Sequence, residues 1–352
     1  MSKRCPECSA VYPDDAKFCS QDGNALVDDA EGEPSRASPG SGTSVRRAAR
    51  VKHVSVDDIA GSLEATVLDT RYKILRKLGE GGMAFVYEAQ ELNSGESVAL
   101  KVISPRLNTD PTLLERLRRE AGLAIRMEHP NVCRILRLGE TEEGLIYLVM
   151  ALLRGEMLSE REHKVGPMSM EEALPFLVQM CSGLDQAHQL NIVHRDLKPE
   201  NVMIVSDGDG GEKAMVMDFG LAKETRATGA AKLTATGIIL GTPEFMSPEQ
   251  IRGKNLDARS DIYGLGVLAF EMFTGKLPFG GNTAQELMIA RLRGKPIPLR
   301  EYRRELPQSL ERVLAKTMET DRENRYSSML ELGFDLIKTA DPSLQPKLQE
   351  ML

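Results

Sequence analysis

The sequence predicts an α+β fold, with strands gathered early in a long regular region and helices gathered late. Three observations carry this. Residues 72–78 and 85–89 alternate around a glycine-rich turn, and a short apolar run at residues 98–101 follows them. Residues 170–190 carry apolar side chains at helical spacing. Residues 257–272 read as a helix apolar enough to be buried.

The chain has 352 residues, 41% of them hydrophobic, enough to build a sizeable core. A formal net charge of -7 argues against a dedicated nucleic-acid binder, because phosphate backbones reward clustered Lys and Arg. The longest apolar runs, residues 145–153 and 262–270, are far too short for a bilayer, so no membrane insertion is expected. Residues 1–8 lack the apolar core of a secretory signal, which places the protein in the cytoplasm.

In that reducing compartment, the cysteines crowded near the N-terminus point to metal rather than to disulfides. Cys5 and Cys8 form one knuckle of residues 1–26, and Cys19 opens a second. The pattern resembles a zinc ribbon, except that Asp22 stands where a fourth thiolate is normal. Carboxylate is an admissible zinc ligand, so Cys5, Cys8, Cys19 and Asp22 are the candidate site; the alternative is a degenerate knuckle without metal. Cys133 and Cys181 sit among apolar neighbours and read as small core residues. Residues 27–67 shift to Gly, Ser, Pro, Ala and charge, a composition that buries little, and are expected to form a flexible linker. Arg46, Arg47, Arg50 and Lys52 make its second half basic.

The first hairpin turns through Gly79-Glu80-Gly81-Gly82-Met83-Ala84. Glycines there let backbone amides approach phosphate oxygens without a side chain in the way. The third strand ends in Lys101. Residues 113–127 form a helix carrying Glu115 and Glu120, and two further strands end at Met150. Downstream lies His194-Arg195-Asp196-Leu197-Lys198-Pro199-Glu200-Asn201, and later Asp218-Phe219-Gly220. These motifs combine a carboxylate able to receive a proton, an ammonium, and two oxygen ligands for a hard divalent cation. Pro199 keeps the stretch from continuing as a helix.

These motifs in this order, over residues 72–339, resemble the Ser/Thr protein kinases, most of all the bacterial relatives of the eukaryotic kinases. The resemblance implies a bilobal protein kinase fold, with a small β-rich N-lobe at about residues 72–150 and a larger helical C-lobe at about 154–340, and a C-terminal tail at 341–352. It implies an ATP-dependent enzyme using magnesium or manganese and acting on protein Ser/Thr hydroxyls in signal transduction. On that pattern Asp196 meets the substrate hydroxyl, Lys198 the transferring phosphoryl, and Asn201 and Asp218 the magnesium. Lys101 pairs with the α- and β-phosphates and is fixed by Glu120, whose Arg-Arg-Glu-Ala context fits better than that of Glu115.

Leu78, Gly79, Glu80, Gly81, Gly82, Met83, Ala84 and Phe85 cover the nucleotide on the same reading. Val86, Ala99, Met150, Leu153 and Met203 line it. Ala84 replaces a third loop glycine, and Ala151 a hinge glutamate. Residues 221–250 resemble an activation segment, in which Thr242 lies near Asp196. Thr234 and Thr236 occupy autophosphorylation positions whose phosphates would pair with Arg195. Asp261 is expected to tie the catalytic loop by hydrogen bonds, and Arg325 to pair with Glu249. Protein substrates follow from the resemblance; a partner for the N-terminal module and a transient homodimer for autophosphorylation are left open.

Overall fold

A computed structural model describes residues 2–4, 11–13, 27–28, 62–81, 84–104, 111–142, 144–219 and 243–352. They divide into two units, Met1–His53 and Val54–Leu352. In the first, strands β1 (Ser2–Arg4), β2 (Val11–Pro13) and β3 (Val27–Asp28) pair antiparallel in the order β2-β1-β3. The expected linker therefore gives its first residues to this sheet: Val27 pairs with Arg4, and Asp28 with Lys3. Cys5, Cys8, Cys19 and Asp22 lie outside the described residues.

The second unit begins earlier than the expected linker boundary at residue 67. Strand β4 (Val67–Leu68) pairs with β5 (Tyr72–Gly81), and Leu63 and Leu68 are buried with Tyr72, Ile74, Tyr87 and Tyr147. Two leucines thus hold a segment whose composition reads as linker. The chain reverses through left-handed backbone at Asp69 and Thr70 (φ 52° and 51°), and the Tyr147 hydroxyl donates to the Asp69 carboxylate.

Strands β6 (Ala84–Glu91), β7 (Ser97–Ile103), β8 (Ile135–Glu140) and β9 (Ile146–Ala151) complete a six-stranded antiparallel sheet in the order β4-β5-β6-β7-β9-β8. The alternation in the sequence is realised in β5, where Tyr72 and Ile74 are buried while Lys73 and Leu75 are exposed. Helix α1 (Pro111–Ala124) follows β7 and buries Leu117, Ala121 and Ala124, one stripe at helical spacing.

The C-terminal part opens with β10 (Gly155–Met157) and helices α2 (Leu158–Val165) and α3 (Met170–Gln189). Helix α3 starts at a capping box: Ser169 Oγ accepts the Glu172 amide, and the Glu172 carboxylate accepts the Ser169 amide. Strands β11 (Val202–Ser206) and β12 (Glu212–Val216) join β10 in a small antiparallel sheet. Helices α4 (Pro248–Ile251), α5 (Ala258–Thr274), α6 (Ala284–Arg293), α7 (Leu299–Tyr302), α8 (Gln308–Thr317), α9 (Met329–Thr339) and α10 (Gln345–Gln349) follow. Helix α5 is buried on nearly every face, as its apolar sequence requires. Residues 341–352, expected to be a plain tail, pack on the C-lobe: Leu348 is fully buried, and Ser182 Oγ donates to the Leu352 carbonyl oxygen at 2.8 Å.

Among the described residues no helix is long and apolar enough to cross a membrane. Cys133 and Cys181 are both buried, as expected of core residues, and burial pushes the Cys133 thiol up to about 12.

The Glu249–Arg325 pair is the strongest electrostatic joint of this part. Arg325 Nη1 and Nη2 donate to the two Glu249 oxygens at 2.7 and 2.8 Å, and Ser260 Oγ adds a third donor at 2.7 Å. Burial raises the Glu249 carboxyl, but the Arg325 guanidinium more than offsets this and holds it below the usual carboxylate range. Removing one partner strands the other charge in the interior. Arg325→Met is therefore expected to lower unfolding free energy by about 3 to 5 kcal/mol. The double variant Glu249→Gln, Arg325→Met should cost clearly less than the sum of the two single changes. Urea denaturation of the four proteins checks both statements.

Candidate functional site

The catalytic stretch is a loop fixed from several sides. Asp261, on α5, accepts the backbone N–H of His194 (2.7 Å) through Oδ2 and that of Arg195 (2.8 Å) through Oδ1, and Oδ2 also meets His188 Nε2 at 2.7 Å. The expected tie is present. It secures a left-handed backbone at Arg195 (φ 64°), a conformation that costs about 1 to 3 kcal/mol for a residue with a Cβ. Burial alone would raise the Asp261 carboxyl, but His188 and His194 hold it below its ordinary value.

His194 joins the two motifs. Its ring is wholly buried and tilted against Phe219, with centroids 4.9 Å apart. Nε2 lies 2.7 Å from the Met217 carbonyl oxygen, which can only accept, so Nε2 carries the proton. Nδ1 then accepts the Asp196 backbone N–H at 3.3 Å. Burial holds the imidazole neutral by pulling its pKa down, consistent with this tautomer.

Asn201 ends a 3₁₀ turn that starts at Pro199. Its Nδ2 donates to the Asp196 carbonyl oxygen at 2.7 Å and to Asp196 Oδ2 at 3.2 Å, which turns its own oxygen over to a cation. Lys198 Nζ lies 3.9 Å from Asp196 Oδ2. The Met217 amide donates to the Asn201 carbonyl at 2.8 Å, so β11 and β12 return Asp218 beside Asn201. Burial would raise the Asp218 carboxyl, but the charge and hydrogen bond of Lys101, with Lys198 further off, keep it below the usual range and therefore ionised. Two oxygen donors, one of them a carboxylate, suit magnesium, which completes its shell with water and phosphate.

The N-lobe sheet supplies the other half. Cross-strand register sets Val86 opposite Lys101 and Ala99 opposite Met150; Ala99 and Met150 are buried, and Val86 and Leu153 half-buried. Met203 is half-buried on β11 between Met157 and Met215. Strand pairing runs to the very tip of the glycine stretch, with Gly79 opposite Val86, Glu80 opposite Phe85 and Gly81 opposite Ala84. A Cβ on Gly79 would meet nothing within 4 Å, and one on Gly81 only the Ala84 carbonyl oxygen at 3.9 Å, so there is room above the hairpin for a ligand. Lys77 braces it, meeting Glu80 at 2.7 Å and lying 4.9 Å from the Phe85 ring centroid, while Leu78 stays largely exposed. Gly82, Met83, Thr234, Thr236 and Thr242 lie outside the described residues.

One expected contact is replaced. Lys101 Nζ sits 2.8 Å from Asp218 Oδ1, whereas the Glu120 carboxylate lies 3.5 Å from Arg195 Nη1. Each carboxylate is neutralised by its own cation. Helix α1 thus delivers Glu120 to the catalytic loop rather than to β7.

Glu162 on α2 and Glu271 on α5 carry no signal in the sequence pattern. Glu162 Oε1 and Glu271 Oε2 are buried without a hydrogen-bond partner. Burial, together with the charges of Glu271 and Glu200, pushes the Glu162 carboxyl up to about 8; burial with Glu200 and Glu244 pushes Glu271 up to about 7. Helical spacing announced α5 but not the short helix α2, so nothing in the sequence pattern placed Glu162.

The sequence matches the protein kinase domain family over residues 72–333. The chain belongs to that family. It is 38% identical over 283 residues to the serine/threonine-protein kinase pkn2 of Myxococcus xanthus, covering 80% of this chain and 34% of that protein. It is 36% identical over 286 residues to the serine/threonine-protein kinase PknB of Mycobacterium tuberculosis, covering 80% of this chain and 45% of that one. The chain thus spans less than half the length of these curated relatives. Among solved structures, the Mycobacterium tuberculosis PknI kinase domain superposes with a TM-score of 0.63 at 26% identity, covering 79% of this chain and 100% of that domain.

A carboxyl group raised by folding favours the native state only while it is protonated. Wild-type stability should therefore be lost as pH rises from 4.5 toward 8 through Glu162, while Gln does not titrate. The stability of Glu162→Gln relative to wild type is expected to grow across that window by on the order of 1 kcal/mol per pH unit, levelling off above it. Denaturant midpoints at several pH values measure this; a difference independent of pH would refute it.

Proposed function

We propose that the chain is an ATP-dependent serine/threonine protein kinase that transfers the γ-phosphoryl group of ATP to protein Ser/Thr hydroxyls. The observation that carries this reading is the clustering of Asp196, Lys198, Asn201 and Asp218, held by Asn201 hydrogen bonds to Asp196, the Lys198–Asp196 ion pair and the Met217 amide bond to Asn201, with Lys101 brought to Asp218 from the N-lobe sheet. Asp196 accepts the proton of the acceptor hydroxyl, whose oxygen attacks phosphorus while ADP departs. Lys198 neutralises charge gathering on the transferred group, and Lys101 holds the α- and β-phosphates. Magnesium on Asn201 and Asp218 would neutralise phosphate oxygens.

Lys101 is engaged by Asp218, and Glu120 by Arg195, in a resting arrangement. Autophosphorylation at Thr234 or Thr236 bears on it. A phosphate carries more charge than a carboxylate and three strong acceptors, so it competes with Glu120 for Arg195 and frees Glu120 for Lys101. A transient homodimer would let one chain phosphorylate another. Protein substrates and, at the N-terminal module, a protein partner belong to the same reading, in the cytoplasm.

The N-terminal unit completes the proposal as a zinc-ribbon-like module of residues 1–26 held by Cys5, Cys8, Cys19 and Asp22. Its support is the spacing of the three cysteines, with the carboxylate of Asp22 as the fourth candidate ligand. Elemental analysis of the metal-free-purified, zinc-repleted full chain should give close to one zinc per chain. A value near zero, or one unchanged in Cys5→Ser, Cys8→Ser, counts against it.

For the activity, wild-type protein incubated with labelled ATP and magnesium is expected to label itself and a basic Ser/Thr peptide, and Asp196→Asn to lose about 100-fold or more of that rate. Phosphopeptide mapping should place the self-label on Thr234 or Thr236. Equal labelling by both proteins would overturn the assignment.

A further inference from the structure

Arg291, on α6, is fully buried, and its guanidinium is only partly satisfied. Nη1 donates to the Pro243 carbonyl oxygen at 2.7 Å, while Nε and Nη2 have no hydrogen-bond partner among the described residues. Burial pulls its pKa down, while the nearby Tyr263 hydroxyl and the Glu244 carboxylate act the other way. A buried cation held by one hydrogen bond is a costly choice, and an apolar side chain of the same length would fill this space more cheaply. Global stability therefore does not account for it. What distinguishes the position is the backbone atom it grips.

Pro243–Phe245 is a 3₁₀ turn. A Cβ built on Gly264 of α5 would lie 3.4 Å from Leu197 Cβ and 3.8 Å from the Phe245 carbonyl oxygen, so turn and loop share one footing on that helix. Five residues after the turn, Gln250 Nε2 donates to the Arg195 carbonyl oxygen at 2.7 Å. On the other side Arg291 rests 5.5 Å from the Phe279 ring centroid, Phe279 stacks on Tyr263 (6.3 Å, 12°), and Arg325 lies 4.9 Å from Tyr263. The column Arg291–Phe279–Tyr263–Arg325 thus runs from the Pro243 carbonyl to the Glu249 ion pair, spanning both ends of residues 243–249.

We infer that Arg291 is a positioning residue for the protein acceptor: by holding the Pro243 carbonyl from below, it sets the height of the 243–245 turn beside Asp196. This rests on the kinase reading. The nucleotide is bound elsewhere, by the N-lobe sheet and the 201/218 pair, so Arg291 should affect one substrate and not the other. Pro243 has no N–H with which to anchor itself, which leaves its carbonyl as the backbone handle at that point.

The test compares Arg291→Met, which keeps length and packing but removes every donor, with Arg291→Lys, which keeps charge and one donor. Initial rates are measured with a basic Ser/Thr peptide and with ATP varied separately. Arg291→Met is expected to raise the KM for the peptide about tenfold or more, the equivalent of one charge-assisted hydrogen bond, with the KM for ATP within about twofold of wild type. Arg291→Lys should recover most of the peptide KM. Its melting temperature should match that of wild type, and Arg291→Met should melt no lower.

Peptide and ATP KM values that move together, or a peptide KM unchanged in Arg291→Met, would overturn the inference. Should Arg291→Met fail to fold, a structural role is indicated and the inference fails, unless folded Arg291→Gln shows the same selective rise. An inactive wild-type chain would instead refute the kinase reading itself.

Discussion

The Asp261 carboxylate is the interaction on which the rest of the site depends. It is buried, ionised, and shared among the amides of His194 and Arg195 and the ring of His188. A charge in that position is stable only because every donor around it is fixed by a different element: the imidazole by α3, the amides by the catalytic loop, the acid itself by α5. In return the carboxylate holds Arg195 in a left-handed conformation that an isolated loop would abandon. The turn in the chain at Arg195 then presents Asp196, and Asn201 bonds back to both the carbonyl and the carboxylate of Asp196. The loop is a unit built outward from one acid, rather than a set of independently placed side chains.

The two lobes contribute to the site in different ways. The C-lobe part is over-determined, with His194 bonded to Met217, Met217 to Asn201, and Gln250 to Arg195. The N-lobe reaches it through long side chains, Lys101 to Asp218 and Glu120 to Arg195. Ion pairs between flexible side chains exchange partners far more readily than buried backbone hydrogen bonds break. The division places the adjustable contacts around Lys101 and Glu120 and the fixed ones around Asp196.

Much of this was legible in the sequence, for identifiable reasons. The strands from β5 to β9 and the helices α1, α3 and α5 are carried by periodicity, while the ties made by Asp261 and by Glu249 with Arg325 came with the resemblance to the protein kinases. The misses share one physical origin, which is that they depend on single long-range contacts. Leu63 and Leu68 convert an apparently polar linker into a sixth strand, because two apolar anchors are enough when the sheet already exists. Leu348 does the same for the tail. The exchange of Glu120 from Lys101 to Arg195 is a choice between two cations of equal formal charge, and a linear pattern does not encode which one lies nearer. The placing of Glu271 within electrostatic reach of Glu162 likewise depends on how two helices pack.

The two arginines at the ends of the aromatic stack make the same point about what buried charge accomplishes. Arg325 is fully satisfied: it forks onto Glu249 and donates to the carbonyl oxygens of Glu319 and Arg259. Such an arrangement fixes a fold, because each hydrogen-bonding group on one partner has its counterpart on the other. Arg291 occupies an equally dry site with one hydrogen bond among the described residues, to the backbone carbonyl of Pro243 at the start of the 243–245 turn. A side chain that left two donors unmatched merely to fill space would be worse than methionine at the same place. Where the fold tolerates that deficit, the contact it keeps is the reason for the residue, and here that contact lies beneath the turn beside the catalytic loop.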